Sequence, residues 1–213
     1  MAFRLDHLTS KCFIWISIAF YCLSVNVAYP EVILSDLMID HRLVVGFALV
    51  PATPKMLKIA GVARLPEKSA LIADIYENSP ADKAGLKIGD QIVALNGLPL
   101  KDKRLRKKPL PNASRTIRCT IIHGQERKEV ELTPVSSSSV TDQRFLKQQQ
   151  LYKESYKLNS EGYSASGRYT DLQTVLRVKK QLYTLYDNAY KEALKDGRPL
   201  VAEYYRNLSN RYR

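Results

Sequence analysis

The sequence predicts an α+β fold: a small, partly open β-barrel or sandwich with one short helix, followed by an α-helical C-terminal region. Three observations lead there. Between Leu43 and Leu132 the apolar residues come in short β-branched or alternating runs punctuated by Pro, Gly and Asn, which is strand patterning. Ser79 to Gly97 spells a turn, a short helix, a turn, a strand and a turn. Beyond Ser139, apolar residues recur at spacings of three and four, the period of an amphipathic helix.

In chain order, Met1 to Lys11 carries Arg4 and Lys11 against Asp6, and Cys12 to Ala28 holds no charge. A basic start followed by an apolar run has the form of a secretory signal, or of a membrane anchor if it is retained; residues 1–28 are assigned to it. A first domain is expected over 31–135. Leu43 to Val50 is β-branched and short, hence a strand, and Pro51 and Pro54 break it. Lys58 to Ala63 reads as a second strand and Ser69 to Tyr76 as a third.

Ser79 is a good N-cap, and Pro80 falls at the first helical position, where its missing N–H costs nothing. Gly85 stops the helix as a C′ glycine. Gln91 to Leu95 is a short strand, and Asn96-Gly97 is a two-residue hairpin turn. Leu86, Ile88, Ile92 and Leu95 are expected inside. Arg115 to Ile122 alternates, with Ile117, Cys119 and Ile121 on one side, and Lys128 to Leu132 closes a hairpin through His123-Gly124-Gln125.

Ser136 to Ser139 is read as a flexible linker, within 136–142. Residues 143–213 form a Tyr-rich helical region, with helices over Asp142 to Leu158, Thr170 to Asp196 and Leu200 to Leu208. Ten of the 13 tyrosines fall after Gln150. In the long helix the stripe runs through Leu172, Val175, Leu176, Lys179, Leu182, Tyr186, Ala189, Tyr190 and Ala193, an amphipathic packing face that could also serve self-association through 170–196.

Ser79-Pro80-Ala81, Ala84-Gly85-Leu86, Gly89-Asp90, Ile92 and Asn96-Gly97 together resemble the PDZ domain. The likeness is to the bacterial, circularly permuted type found in high-temperature-requirement and tail-specific proteases, and it is close over Glu77 to Leu100. It implies a PDZ-type fold and a groove that holds an extended peptide as an added strand. It also implies a loop of backbone N–H groups that takes a terminal carboxylate, placed just before an apolar-Gly-apolar strand. Ala60-Gly61-Val62, with Leu57, Lys58 and Ile59 leading in, is matched to that loop, so Leu57, Lys58, Ile59, Ala60, Gly61 and Val62 are the candidate peptide-binding residues. The family places a helix after the Asn-Gly turn as the other groove wall. Here Lys101 to Ser114 contains Pro109 and Pro111, which leaves no room for a full helix. Lys101 to Lys108 instead holds six basic residues and one acid in eight positions. Lys101, Lys103, Arg104, Arg106, Lys107 and Lys108 are therefore a candidate contact loop.

The net charge of +12, from 33 Lys and Arg against 21 Asp and Glu, favours anionic partners. Of three cysteines only Cys119 lies outside the apolar start, so no internal disulfide framework is expected. His7, His41 and His123 lack metal-ligand spacing, and no nucleophile elbow, zinc-helix or phosphate-loop motif is present. Asp90, which follows Gly89 in the motif, is expected to bond turn amides. No cofactor and no catalytic residue is expected.

The leading expectation is an exported, non-enzymatic adapter. It would be periplasmic, or anchored to the inner membrane by residues 12–28, and would bind a protein or peptide partner in the cell envelope. Membrane contact is expected only through 12–28 if uncleaved, and an export signal argues against nucleic acid. The alternatives are an assembly protein acting through its helical tail with a degenerate groove, a regulatory subunit of an envelope protease, and a polyanion binder using Lys101 to Lys108.

Overall fold

A computed structural model describes residues 43–65, 67–101, 116–162 and 171–213. All of them belong to one unit, Ile33–Arg213. The strands are β1 (Leu43–Val44), β2 (Phe47–Pro51), β3 (Ala70–Ile75), β4 (Gln91–Leu95), β5 (Leu98–Pro99), β6 (Ile117–His123), β7 (Glu126–Leu132) and β8 (Val135–Ser136). The helices are α1 (Pro54–Ala60), α2 (Pro80–Lys83), α3 (Gln143–Glu161), α4 (Leu172–Lys195) and α5 (Pro199–Asn210). The α+β, PDZ-type class holds: an open antiparallel sheet in the order β2-β3-β4-β6-β7, with β5 paired to β4, and a C-terminal helical region.

Alternation builds the first core. Phe47 and Leu49, Ile72, Ile92 and Leu95, and Ile117, Cys119 and Ile121 meet on one face with Ala81 and Leu86 from the motif. Asn96 and Gly97 both take positive φ, 49° and 75°, as a tight hairpin turn between right-twisted strands demands. The Ser79 hydroxyl accepts from Asp82 N at 3.2 Å while Asp82 Oδ2 accepts from Asn78 N at 2.8 Å. The predicted cap is therefore answered from the other side. Asp90 does bond a turn amide, accepting from Lys87 N at 2.9 Å. Its other oxygen lies 2.6 Å from His123 Nδ1, an exposed imidazole held against a buried carboxylate.

The second face of the sheet carries the tail. Val50, Leu71 and Ala73 pack with Met56 and Leu57 of α1, with Val178, Leu182 and Tyr186 of α4, and with Leu200, Val201, Tyr205 and Leu208 of α5. Ser136 to Ser139 is not a free tether. It ends β8 and makes a 3₁₀ turn, capped by the Ser136 hydroxyl, and Val140 behind it is buried. Strands give way to helices after Ser139, and the helices and the sheet share one apolar cluster. A flat sheet with an apolar second face needs such a cover.

Three expectations are corrected. Lys58 to Ala63 is not a strand: Thr53 accepts from Met56 N as N-cap, Pro54 occupies the first turn, and Gly61 at φ 67° ends the helix. The residues read as breakers are a helix start. Ile88 is 56% exposed, because the turn closed between Lys87 and Asp90 swings it outward after Leu86 has turned in. The buried face of α4 runs through Val178, Leu182, Tyr186 and Ala193; Leu172 and Leu176 point away from it and are exposed. Residues 1–28, assigned to the signal or anchor, and the contact-loop residues Lys103, Arg104, Arg106, Lys107 and Lys108 lie outside the described residues.

Candidate functional site

The site is built where the motif meets the first long strand. Between β1 and β2 the chain turns at Val45-Gly46, and the motif holds that turn. Val45 O accepts from Ala81 N at 2.9 Å, and Gly46 O accepts from Tyr76 N at 2.9 Å and from the Ser79 hydroxyl at 3.2 Å. Gly46 has φ 88°, and a Cβ there would stand 2.0 Å from Ser79 Cβ. Both the left-handed backbone and the missing side chain are thus required. Ser79 is 1% exposed and its oxygen is engaged twice, so it cannot move aside.

Beyond this turn β2 is one of the two outer strands of the sheet, β7 being the other. It pairs with β3, and its other edge faces no strand among the described residues. The pairing slips between Ala48 and Leu49, where β3 carries one residue more, a β-bulge that bends the strand pair. Both faces of β2 are covered. Phe47 and Leu49 enter the sheet core, Ala48 packs with Tyr76, Val140 and Phe145, and Val50 packs under the tail. The strand is therefore held from above and below, and its second edge pairs with no strand among the described residues.

A charged clasp fixes the tail beside this strand. Asp74 on β3 is 1% exposed. Its Oδ1 meets Arg144 Nη1 at 2.9 Å and its Oδ2 meets Arg198 Nη1 at 3.2 Å, one arginine from the start of α3 and one from the turn into α5. Arg144 also donates to Ile75 O at 3.0 Å and to Asp142 at 2.6 Å, and Arg198 to Asp196 at 2.8 Å. Arg198 Nε is buried and meets no hydrogen-bond partner among the described residues. The Tyr76 hydroxyl donates to Gln148, and its ring sits 5.1 Å from Phe145. Burial first, and then the Asp74 carboxylate, hold the Tyr76 hydroxyl well above its ordinary pKa. Burial works against the Asp142 carboxylate, but hydrogen bonds from the Arg144 side chain and from the Glu77 and Arg144 amides outweigh it and lower its pKa.

The predicted peptide-binding residues lie on α1 and at its C-terminal end. Leu57 is buried in the second cluster, Ile59, Ala60 and Val62 pack against it, and Lys58 and Gly61 close the helix. They form the seat of the tail: Lys55, on the same helix, pairs with buried Glu203 of α5 at 2.8 Å. Lys101 is exposed. Sequence reasoning missed Val45-Gly46-Phe47, which is itself apolar-Gly-apolar. The signal that separates it from Ala60-Gly61-Val62 was present: Thr53-Pro54 begins a helix, so Gly61 falls at a helix end. Asp74, Arg144 and Arg198 left no sequence signal, being 70 and 124 residues apart in the chain. Among the described residues no group of His, Cys, Asp and Glu could hold a metal. None of the helices among them is long and apolar enough to cross a membrane.

The PDZ domain family model matches residues 71–105. Among curated relatives, a protein of Chlamydia pneumoniae described as "Probable periplasmic serine endoprotease DegP-like" is 31% identical over 107 residues, 50% of this chain and 22% of its own length. One of Brucella suis biovar 1 with the same description is 28% identical over 98 residues, 46% of this chain and 19% of its own. The chain thus spans about a fifth of the length of the curated relatives it matches. Among solved structures, the HtrA3 PDZ domain bound to a phage-derived ligand aligns with 45% of this chain and 86% of its own, at 21% identity and a TM-score of 0.37. The HtrA-type protease AlgW with a decapeptide aligns with 56% and 34%, at 16% identity and a TM-score of 0.38.

Proposed function

We propose that the chain, which carries a PDZ domain, serves as an exported, non-enzymatic adapter that binds an extended peptide or C-terminal segment of a partner in the cell envelope. The observation that carries this reading is β2. It is one of the two outer strands of the sheet, its second edge meets no strand among the described residues, and, unlike β7, it has at its N-terminal end a left-handed glycine turn whose carbonyls the motif binds. A peptide laid antiparallel along that edge gains main-chain hydrogen bonds without rearranging either core. A terminal carboxylate would sit at the Val45-Gly46 turn, where the left-handed φ of Gly46 turns the backbone at the end of the strand. Leu57 to Val62 then serve to seat the tail, and the tail to stiffen β2 from behind.

Export fits the basic and apolar start of the sequence and the periplasmic description of the relatives. The non-enzymatic reading rests on the matched region being a binding module. A second reading, a regulatory subunit of an envelope protease, is favoured by the relatives being described as serine endoproteases.

A phage-displayed library of random C-terminal peptides panned on the full chain tests the proposal. Enriched peptides should bind with a free carboxylate and weaken when amidated, and Gly46→Ala should weaken them where Leu57→Met and Lys58→Gln do not. A library that enriches nothing, or peptides indifferent to amidation and to Gly46, would overturn it.

A further inference from the structure

The start of the tail grips the back of the proposed peptide site at three successive residues. Asp142, the N-cap of α3, divides its carboxylate. Its Oδ1 accepts from Arg144 N at 2.8 Å and caps the helix, while its Oδ2 accepts from Glu77 N at 2.9 Å. The Tyr76 hydroxyl donates to Gln148, and Arg144 donates to Ile75 O at 3.0 Å. Ile75 ends β3, and Tyr76 and Glu77 lead from it into the motif. Three hydrogen bonds anchor the Val45-Gly46 turn, from Tyr76 N, Ala81 N and the Ser79 hydroxyl. The Tyr76 bond comes from the segment that α3 holds.

The same short stretch holds the chain on the other side of the turn. β8 pairs with β1, Leu43 opposite Ser136 and Val44 opposite Val135, in the two residues before Val45. Val140 and Phe145 pack with Ala48 and Tyr76, and Val44 and Val135 border that cluster. All of these contacts come from Val135 to Gln148. Helices α4 and α5 pack instead on α1 and on Val50, Leu71 and Ala73. The tail thus has two separate seats, and one of them is the turn.

We propose that Val135 to Gln148 is a working part of the peptide site, with Asp142, Arg144, Phe145 and Gln148 as positioning residues. Docked, they hold the Val45-Gly46 turn in the form that takes a carboxylate, so peptide affinity depends on α3 staying down. This rests on the peptide-binding reading of β2. Local opening at a strand end has a low free energy unless tertiary contacts raise it. A turn that is open part of the time loses apparent affinity in proportion. Linkage makes the coupling mutual: a bound peptide holds α3 down, and a partner that draws α3 away releases the peptide.

Variants of the full chain separate this from a merely structural role. Asp142→Ser keeps an oxygen to cap α3 and removes the second one, which reaches Glu77. Combined with Gln148→Ala it cuts two of the three grips and leaves the Arg144–Asp74 pair in place. The control is Leu208→Ala, which lowers stability as a whole from a cluster that holds none of Ile75, Tyr76 and Glu77. The probe is a C-terminal peptide enriched on the full chain by phage panning, titrated by fluorescence anisotropy. The double variant should bind it about tenfold more weakly, as for a turn competent about a tenth of the time, and Leu208→Ala within about twofold of the parent. Amide hydrogen exchange reads the turn with no ligand present. The Tyr76 and Ala81 amides donate to Gly46 O and Val45 O. In the double variant they should exchange at least about tenfold faster relative to the amides of β6, whereas Leu208→Ala should move both sets together. Unchanged relative exchange, or an equal loss of peptide by Leu208→Ala, would overturn the proposal. Faster exchange with unchanged affinity overturns the coupling alone. Panning that enriches nothing overturns the peptide-binding reading and the affinity claim with it.

Discussion

Asp74→Asn is the sharpest probe of how the tail is joined to the sheet. The carboxylate is buried and answers two arginines, one at the start of α3 and one at the turn into α5. Removing one member of a buried ion pair costs about 3–5 kcal/mol, because the charge left behind has lost its partner. Here each arginine keeps a second acid, Asp142 for Arg144 and Asp196 for Arg198, and Arg144 is about a third exposed. Asparagine also keeps the shape and part of the hydrogen bonding. The expected loss is thus about 2–4 kcal/mol, above the 0–1 kcal/mol of a surface pair and below the full buried value. Urea unfolding should show it as a lower midpoint at unchanged slope. Because one acid serves both arginines, Asp74→Asn combined with Arg198→Gln should cost less than the two single losses together, by about 1 kcal/mol or more. A single loss under about 1 kcal/mol, or strict additivity, would refute the clasp as a joint and leave apolar packing alone to hold the tail.

Other consequences follow from the same geometry. Gly46→Ala should cost about 2–5 kcal/mol, from the left-handed backbone and from crowding against Ser79, read as a drop in unfolding midpoint. Tyr76 and Tyr205 both have hydroxyls raised by burial above the ordinary 10.0. A group whose pKa is higher folded than unfolded stabilises fully below the unfolded value and loses that contribution above it. Stability should therefore fall as pH rises beyond about 10, and absorbance at the phenolate band should show these two rings titrating only on unfolding. Cys119 is fully buried, and burial pushes its thiol up to about 12. Thiolate-directed alkylation of the folded chain should spare it and proceed in urea.

The local rules of the central motif were legible because each is satisfied within a few residues. Ser79 caps a helix that Pro80 starts, Asn96-Gly97 takes two positive φ values, and alternation alone put Ile117, Cys119 and Ile121 in the core. The three C-terminal helices came from period alone for the same reason. What failed depended on partners distant in the chain. Two stretches carry apolar-Gly-apolar, and which of them lies in a strand was decided by Ser79 and Ala81 reaching back 33 and 36 positions to the Val45-Gly46 turn. Along α4 the period could show that a face exists. Which leucines lie inside was set by where Val50, Leu71 and Ala73 offered a surface. The serine run read as a tether because its composition is polar, yet its hydroxyls close a turn and Val140 anchors it. The sequence by itself determined the domain type and most of the elements, since those follow from short-range sterics and hydrogen bonding, while α1 and the Ser136 to Ser139 turn escaped it. Only the tertiary structure decided that β2 is the edge strand, that α1 and the tail cover the sheet, and that Asp74 holds two arginines. Those are long-range pairings, and no local pattern encodes the partner.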